Sequence, residues 1–326
     1  MARLRDRLVA HGEIADFLLP SLQADGLALT LLFAGPSGVG KRFTALTLAQ
    51  ALLCERSSAG CGQCGSCLRV EQGAHEGLRV IEPEGTQIKI DQAREVLEFL
   101  QLQKISRSRV IIIDQAHLLN PQAANSLLKI LEEPPEGTFI FLIAPSPSSV
   151  LSTLRSRSRT VLFRPLNETE LKKIQIAPDW ALKAARGSVQ TLRALLEPEE
   201  QESRAEAARL LGEFLTDKDF LTASTWRGSL KEKGFFLELC RSWVGFLRDG
   251  LLMHAKGERL LMNPDQKALL TTLAAEPRAL LEFFIENLFR LEAEMAFHRD
   301  PQLSMEELWV KWRDAREKMA FVSATV

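Results

Sequence analysis

The sequence predicts an α/β fold: a parallel-sheet domain built on a phosphate-binding loop, followed by helices alone. Three observations carry that prediction. Apolar strand-like runs alternate with helical periods through the first half, which is the pattern of an open parallel sheet. A Gly-rich turn joins the first of these strands to a helix. After Pro165 no convincing strand follows, and the text is helical with breaks near Pro178, Gly187, Pro198, Gly257 and Pro277.

Leu27 to Phe33 is a continuous apolar strand, as expected where both sheet faces are covered. It runs into the turn Gly35 to Gly40 and a helix over Lys41 to Leu53. Leu78 to Ile81 is a second strand, ended by Glu82-Pro83-Glu84-Gly85. Asp91 is placed to cap a helix from Gln92 to Leu102, whose Val96, Leu97 and Leu100 share one face. Arg109 to Ile113 is a third strand ending at Asp114. Asn120-Pro121 supplies a cap and a first-turn proline to a helix that stops before Pro134-Pro135. Phe139 to Ala144 and Thr160 to Phe163 complete the sheet. The expected domains are residues 1–165 with a cysteine module at 54–67, a small helical domain at 166–197, and a larger helical domain at 198–326. Glu197-Pro198-Glu199-Glu200-Gln201-Glu202 reads as the link between the last two.

The chain has 326 residues, 46% hydrophobic and 25% charged, with a formal net charge of −1. No global field therefore draws it to nucleic acid, and any such contact needs a local patch or a partner. Arg3, Arg5 and Arg7 precede an apolar run too short for a signal peptide, and no run approaches the ~18 residues that suggest a membrane span. A cytoplasmic protein without membrane contact is the expectation. Four of the five cysteines fall between positions 54 and 67, which in a reducing compartment favours metal over disulfides.

Gly35-Pro36-Ser37-Gly38-Val39-Gly40-Lys41 lies between a buried strand and a helix. In that context the backbone N–H groups of Gly35, Gly38 and Gly40 and their neighbours wrap phosphates, and Lys41 adds a point charge. The next position needs a hydroxyl for Mg²⁺, and Arg42 stands there, with no lone pair to give a metal. Asp114 keeps the place of a second Mg²⁺ contact, but Gln115 follows it; glutamine can orient a water but cannot accept its proton. Two losses in one site describe a relic: a loop kept as architecture, with ATP and Mg²⁺ binding by this chain in doubt and hydrolysis not expected.

Cys54, Cys61, Cys64 and Cys67, interleaved with Gly60, Gly62 and Gly65, allow four thiolates to converge on one ion. Structural Zn²⁺ is the first reading of such a Cys₄ set. An iron–sulfur cluster and free or redox thiols are the alternatives, and this spacing matches neither ferredoxin pattern. Cys240, beside Leu237, Leu239 and Trp243, reads as core packing.

Phe33 to Lys41, the cysteine quartet, Ile88 to Gln92, Asn125 to Pro135 and Leu154-Arg155-Ser156-Arg157-Ser158-Arg159 together resemble the AAA+ clamp-loader subunits of bacterial DNA polymerase III. The resemblance covers about residues 20 to 165. It implies an AAA+ domain, a lid over 166–197, an oligomerisation collar over 198–326, and a hetero-oligomer with gamma/tau ATPase subunits and delta. It also implies action on a sliding clamp and primed DNA through that complex. By resemblance Arg157 is an arginine finger reaching a neighbour's ATP; the family's Ser-Arg-Cys reads Ser156-Arg157-Ser158 here. A merely basic loop is the alternative, because Arg155, Arg159 and Arg164 crowd the same stretch. Pro145 stands where a polar sensor would follow the fourth strand, and Gln190 where a second sensor arginine would face phosphates. An active gamma/tau-type ATPase is disfavoured by Arg42, Gln115 and Gln190. A zinc-stabilised nucleic-acid-binding protein on a relic loop is disfavoured by the neutral charge and by the lack of interleaved basic and aromatic residues.

Overall fold

Leu31, Leu32, Phe33 and Ala34 are all essentially inaccessible, although alternate side chains of a strand point to opposite faces. Both faces of that strand are therefore covered, as its unbroken apolar run requires. A computed structural model describes residues 3–24, 27–102, 106–222, 225–230, 233–295 and 299–324. The chain folds as two compact units, residues 1–176 with 186–191, and residues 177–185 with 192–326. Residues 166–197 thus contribute to both.

The first unit holds a five-stranded sheet of β1 (Leu29–Ala34), β2 (Leu78–Ile81), β3 (Arg109–Ile113), β4 (Thr138–Ala144) and β5 (Arg159–Leu162). The order is β2-β3-β4-β1-β5 and every pairing is parallel. Ala34 pairs with Ala144, and Ile113 with Leu142. The register sets Gly35, Asp114 and Pro145 along the carboxyl edge of neighbouring strands, where open α/β sheets carry their ligands.

Its helices are α1 (Leu4–Arg7), α2 (Gly12–Leu22), α3 (Lys41–Leu53), α4 (Gly65–Glu71), α5 (Ile90–Gln101), α6 (Pro121–Glu132), α7 (Ser152–Arg155) and α8 (Glu168–Ile174). Val96 and Phe99 of α5 and Leu127 and Leu131 of α6 pack with Leu32, Ile111, Ile113, Ile140 and Leu142 on one sheet face. The capping of α6 is as expected, since the Asn120 side chain accepts from Ala123 N–H. That of α5 is different. The helix begins two residues earlier, with Lys89 at the cap and Asp91 already inside. Gln92 supplies the reciprocal bond, its Oε1 accepting Lys89 N–H at 3.1 Å. Asp91 instead serves as an acidic first-turn residue, favourable to the helix dipole.

The second unit is helical throughout its described residues: α9 (Asp179–Ala184), most of α10 (Val189–Leu196), α11 (Pro198–Thr216), α12 (Thr225–Ser229), α13 (Lys233–His254), α14 (Lys267–Ala275), α15 (Arg278–Glu294) and α16 (Pro301–Ala324). The segment expected to be a link is the opening of α11. Pro198 occupies the first helical position, and Glu199 and Glu200 sit in the first turn, where both residue types favour a helix start. An aromatic cluster forms the core: Phe214 lies 5.1 Å from both Trp243 and Phe284, and Phe284 lies 4.8 Å from Trp312. Cys240 is buried in this cluster, and burial pushes its thiol up to about 12, so it is packing rather than chemistry.

Candidate functional site

The Gly-rich turn leaves β1 and enters α3 with Gly38 at φ 73° and Gly40 at φ 96°, a region where a side chain is strained. Gly38 is required for a second reason. A Cβ there would stand 2.3 Å from Ser188 Oγ and 2.8 Å from Gln190 Cβ. The Gly38 carbonyl also accepts Val189 N–H at 2.9 Å, so the loop is bonded to the segment that holds Gln190. Lys41 is buried, and its Nζ donates to the Gly35 and Pro36 carbonyls, each at 2.5 Å. Burial lowers the pKa of this ammonium and the Asp114 carboxylate opposes that shift.

Arg42 Nη1 lies 3.5 Å from Asp114 Oδ2, and Nη2 pairs with Glu82. A guanidinium thus bridges the two carboxylates at the ends of β2 and β3, where a loop ending in a hydroxyl residue would hold Mg²⁺ beside Asp114. Gln115 is in the left-handed region at φ 52°, and its N–H donates to Asp114 Oδ1 at 2.9 Å, orienting that carboxylate further. Glu82 was read in the sequence only as part of a turn. Its role follows from the order β2-β3, which no sequence period reports. His117 also escaped sequence reasoning. Its pKa is lowered first by burial, with Asp114 opposing and Lys41 reinforcing the shift, so a neutral imidazole stands in this charge network.

The four cysteines converge as their spacing predicts. All four Sγ atoms lie within 4.8 Å of one another. Cys54 and Cys64 sulfurs are 3.8 Å apart, and those of Cys61 and Cys67 are 3.9 Å apart. Backbone N–H groups point at the sulfurs: Arg56 and Cys61 donate to Cys54, Cys64 to Cys61, and Cys67 to Cys64. Gly60 at φ 76° and Gly62 at φ 70° make the turns that aim them. N–H donation from Gln63 and Cys64 lowers Cys61 to about 6, while burial raises Cys67. Four sulfurs at these separations could hold one metal ion.

Arg157 follows α7. Its Nε donates to Glu132 Oε2 of α6 at 3.0 Å, and its Nη1 to Thr153 O of α7 at 3.1 Å and to Ser156 Oγ, just past α7, at 3.4 Å. The neighbouring arginines differ from it. Arg155 reaches the Pro147 carbonyl at 3.5 Å, and Arg164 forms a two-pronged pair with Glu170 at 2.7 and 2.8 Å.

Residues 10–167 match the family model described as DNA polymerase III, delta subunit. The chain is similar to the DNA polymerase III subunit delta' of Bacillus subtilis, at 35% identity over 175 residues that make up 53% of each chain. It is 40% identical over 131 residues to that of Pseudomonas aeruginosa, covering 39% of this chain and 40% of the relative. A gamma/tau subunit from Mycobacterium bovis is 35% identical over 163 residues, covering 49% of this chain but 28% of that longer protein. The chain thus spans about half the length, or less, of the curated relatives it matches. The match takes in the Gly-rich loop, the cysteine quartet, Asp114 and Arg157, and over residues 10–167 the chain is similar to the delta and delta' subunits of DNA polymerase III.

Proposed function

We propose that this chain is a non-hydrolysing subunit of a DNA polymerase III clamp loader, acting within a hetero-oligomer with gamma/tau ATPase subunits and delta to load a sliding clamp onto primed DNA. The observation that carries the non-hydrolysing part is the bridge from Arg42 to Asp114 and Glu82. A permanently charged guanidinium at this place competes with a divalent ion for the same oxygens, and Gln115 offers no base for an attacking water. A gamma/tau-type motor needs both. The residues 166–197 then serve as a lid remnant and 198–326 as a collar, in the cytoplasm; among the described residues no helix is long and apolar enough to cross a membrane. Phosphate release by the purified chain with Mg²⁺ and ATP tests the reading. Turnover that disappears with Lys41→Ala would overturn it.

Within that assembly Arg157 is the finger. Its side chain is half-buried at the carboxyl end of α7, and its bond to Glu132 is to an exposed carboxylate, an arrangement that holds weakly. Exchange of Glu132 for a neighbour's phosphate is therefore inexpensive, and a cation there stabilises charge developing in the partner's reaction.

The ion of the cysteine site is zinc. Zn–S bonds of about 2.3 Å in a tetrahedron separate sulfurs by roughly 3.8 Å, which the Cys54–Cys64 and Cys61–Cys67 separations of 3.8 and 3.9 Å match. A closed Cys₄ set leaves no position for substrate, so the ion supplies folding energy to the loop and no chemistry.

A further inference from the structure

The loop from Cys54 to Cys67 carries three glycines and little apolar side chain, so something outside it must set its shape. A buried hydrogen-bond chain does so. His75 Nδ1 accepts Gly77 N–H at 2.9 Å, which places the ring proton on Nε2. Nε2 faces Ser66 Oγ at 3.2 Å, and the Ser66 hydroxyl donates to Glu55 Oε1 at 2.6 Å. Every proton in the series Gly77, His75, Ser66, Glu55 therefore runs in one direction, and Glu76 Oε1 lies farther from His75 Nε2, at 3.8 Å. The two middle members are 3% and 1% exposed, respectively.

The positions of these residues give the chain its meaning. Glu55 follows Cys54, Ser66 precedes Cys67, and Gly77 precedes β2, whose first residue Leu78 donates its N–H to the His75 carbonyl at 2.9 Å. The chain thus ties the first and last sulfurs of the quartet to each other and to an edge of the sheet. We infer that His75, acting through Ser66 and Glu55, is a positioning residue for the metal loop, holding Cys54 and Cys67 at ion-binding separation. The inference rests on the metal reading above and goes beyond the four sulfurs themselves. Groups that orient metal ligands from behind are worth about 10–100-fold in metal affinity. Burial, which lowers the His75 pKa, agrees with a neutral ring carrying a single N–H.

The test is zinc release from the full-length, zinc-loaded chain into a metallochromic chelator, with thermal unfolding recorded beside it. Ser66→Ala and Glu55→Ala each accelerate release about 10–100-fold, while the melting of the loaded protein stays near wild type. Glu55→Gln keeps an acceptor oxygen and restores most of the wild-type rate, which a purely charge-based effect would not allow. Ser66→Ala combined with Glu55→Ala is no faster than the faster single variant, because both break one series. Release within twofold of wild type in Ser66→Ala and Glu55→Ala overturns the positioning role and leaves zinc binding standing. Additive acceleration in the double variant overturns the idea of one connected series. A wild-type chain that takes up no zinc removes the metal reading, and this inference with it.

Discussion

Arg42 and Asp114 face each other across the carboxyl edge of the sheet, Nη1 to Oδ2 at 3.5 Å, with Glu82 closing the other side of the guanidinium. A positive charge beside the Gly-rich loop is thereby supplied from within the chain. Arg42→Ser frees both carboxylates and restores a hydroxyl at that place, yet Gln115 still cannot take a proton. Nucleotide binding in Arg42→Ser should become Mg²⁺-dependent, measured by equilibrium titration with and without the ion. Phosphate release should stay at background in both proteins. Restored turnover in the single variant would show that Gln115 is no obstacle.

Arg157→Ala should leave expression and assembly near normal, because a solvent-accessible pair such as Arg157–Glu132 contributes about 0–1 kcal/mol. In a reconstituted complex it should lower DNA- and clamp-stimulated ATPase, by as much as ~10³-fold if the finger contributes as trans arginines do. Arg155→Ala and Arg159→Ala are the comparison. Equal losses from all three would indicate a basic DNA-facing loop, and full activity in Arg157→Ala would end the assignment.

Elemental analysis of protein purified without chelator should find about one Zn²⁺ per chain. Cys64→Ser, which removes one sulfur and the acceptor for Cys67 N–H, should abolish the stoichiometry while the sheet stays folded by circular dichroism. A folded, metal-free wild type would refute the site.

Glu170 supplies a pH prediction. Its hydrogen bonds from Arg164 depress its pKa from 4.5 to about 2, against the opposing effect of burial. A depressed folded-state value means stability that is present above pH about 4.5 and lost as pH falls towards 2. Glu170→Gln should therefore melt below wild type at neutral pH, and the gap should close across that acid window. A gap independent of pH would mean that the Arg164 pair contributes nothing through charge.

Strands β1, β3 and β4 were legible because buried parallel strands write themselves as largely apolar runs, and the four cysteines because glycines mark the turns between them. The sheet's order was not, and Glu82 was missed with it: its partnership with Arg42 exists only because β2 lies beside β3. Asp91 was misread as a cap because the sequence offers a good cap residue two positions past the true one, and Gln92 decides the matter by reaching back to Lys89. The acidic run at 197–202 carried link-like composition, while Pro198 and the first-turn glutamates made it a helix start. Helices α1 and α2 went unread: α1 is four residues long and is anchored by Leu4 N–H on the Gln50 side chain at 3.0 Å, and α2, though Ala15, Leu18 and Leu22 share its buried face, carries Pro20 inside it. His75 gave no signal at all, since a lone histidine nine residues from its serine belongs to no pattern.

The bond from Val189 N–H to the Gly38 carbonyl makes the first unit discontinuous in the chain, its last strip being residues 186–191. Chains emerge from the ribosome amino end first, and domains generally fold as units. The sheet strands are all made by residue 162, but the strip that closes over the phosphate loop is not. A chain that ends near residue 176 therefore holds every strand of the sheet but lacks the strip at 186–191 that packs on the loop. The order of manufacture makes that strip the last part of the first unit to become available.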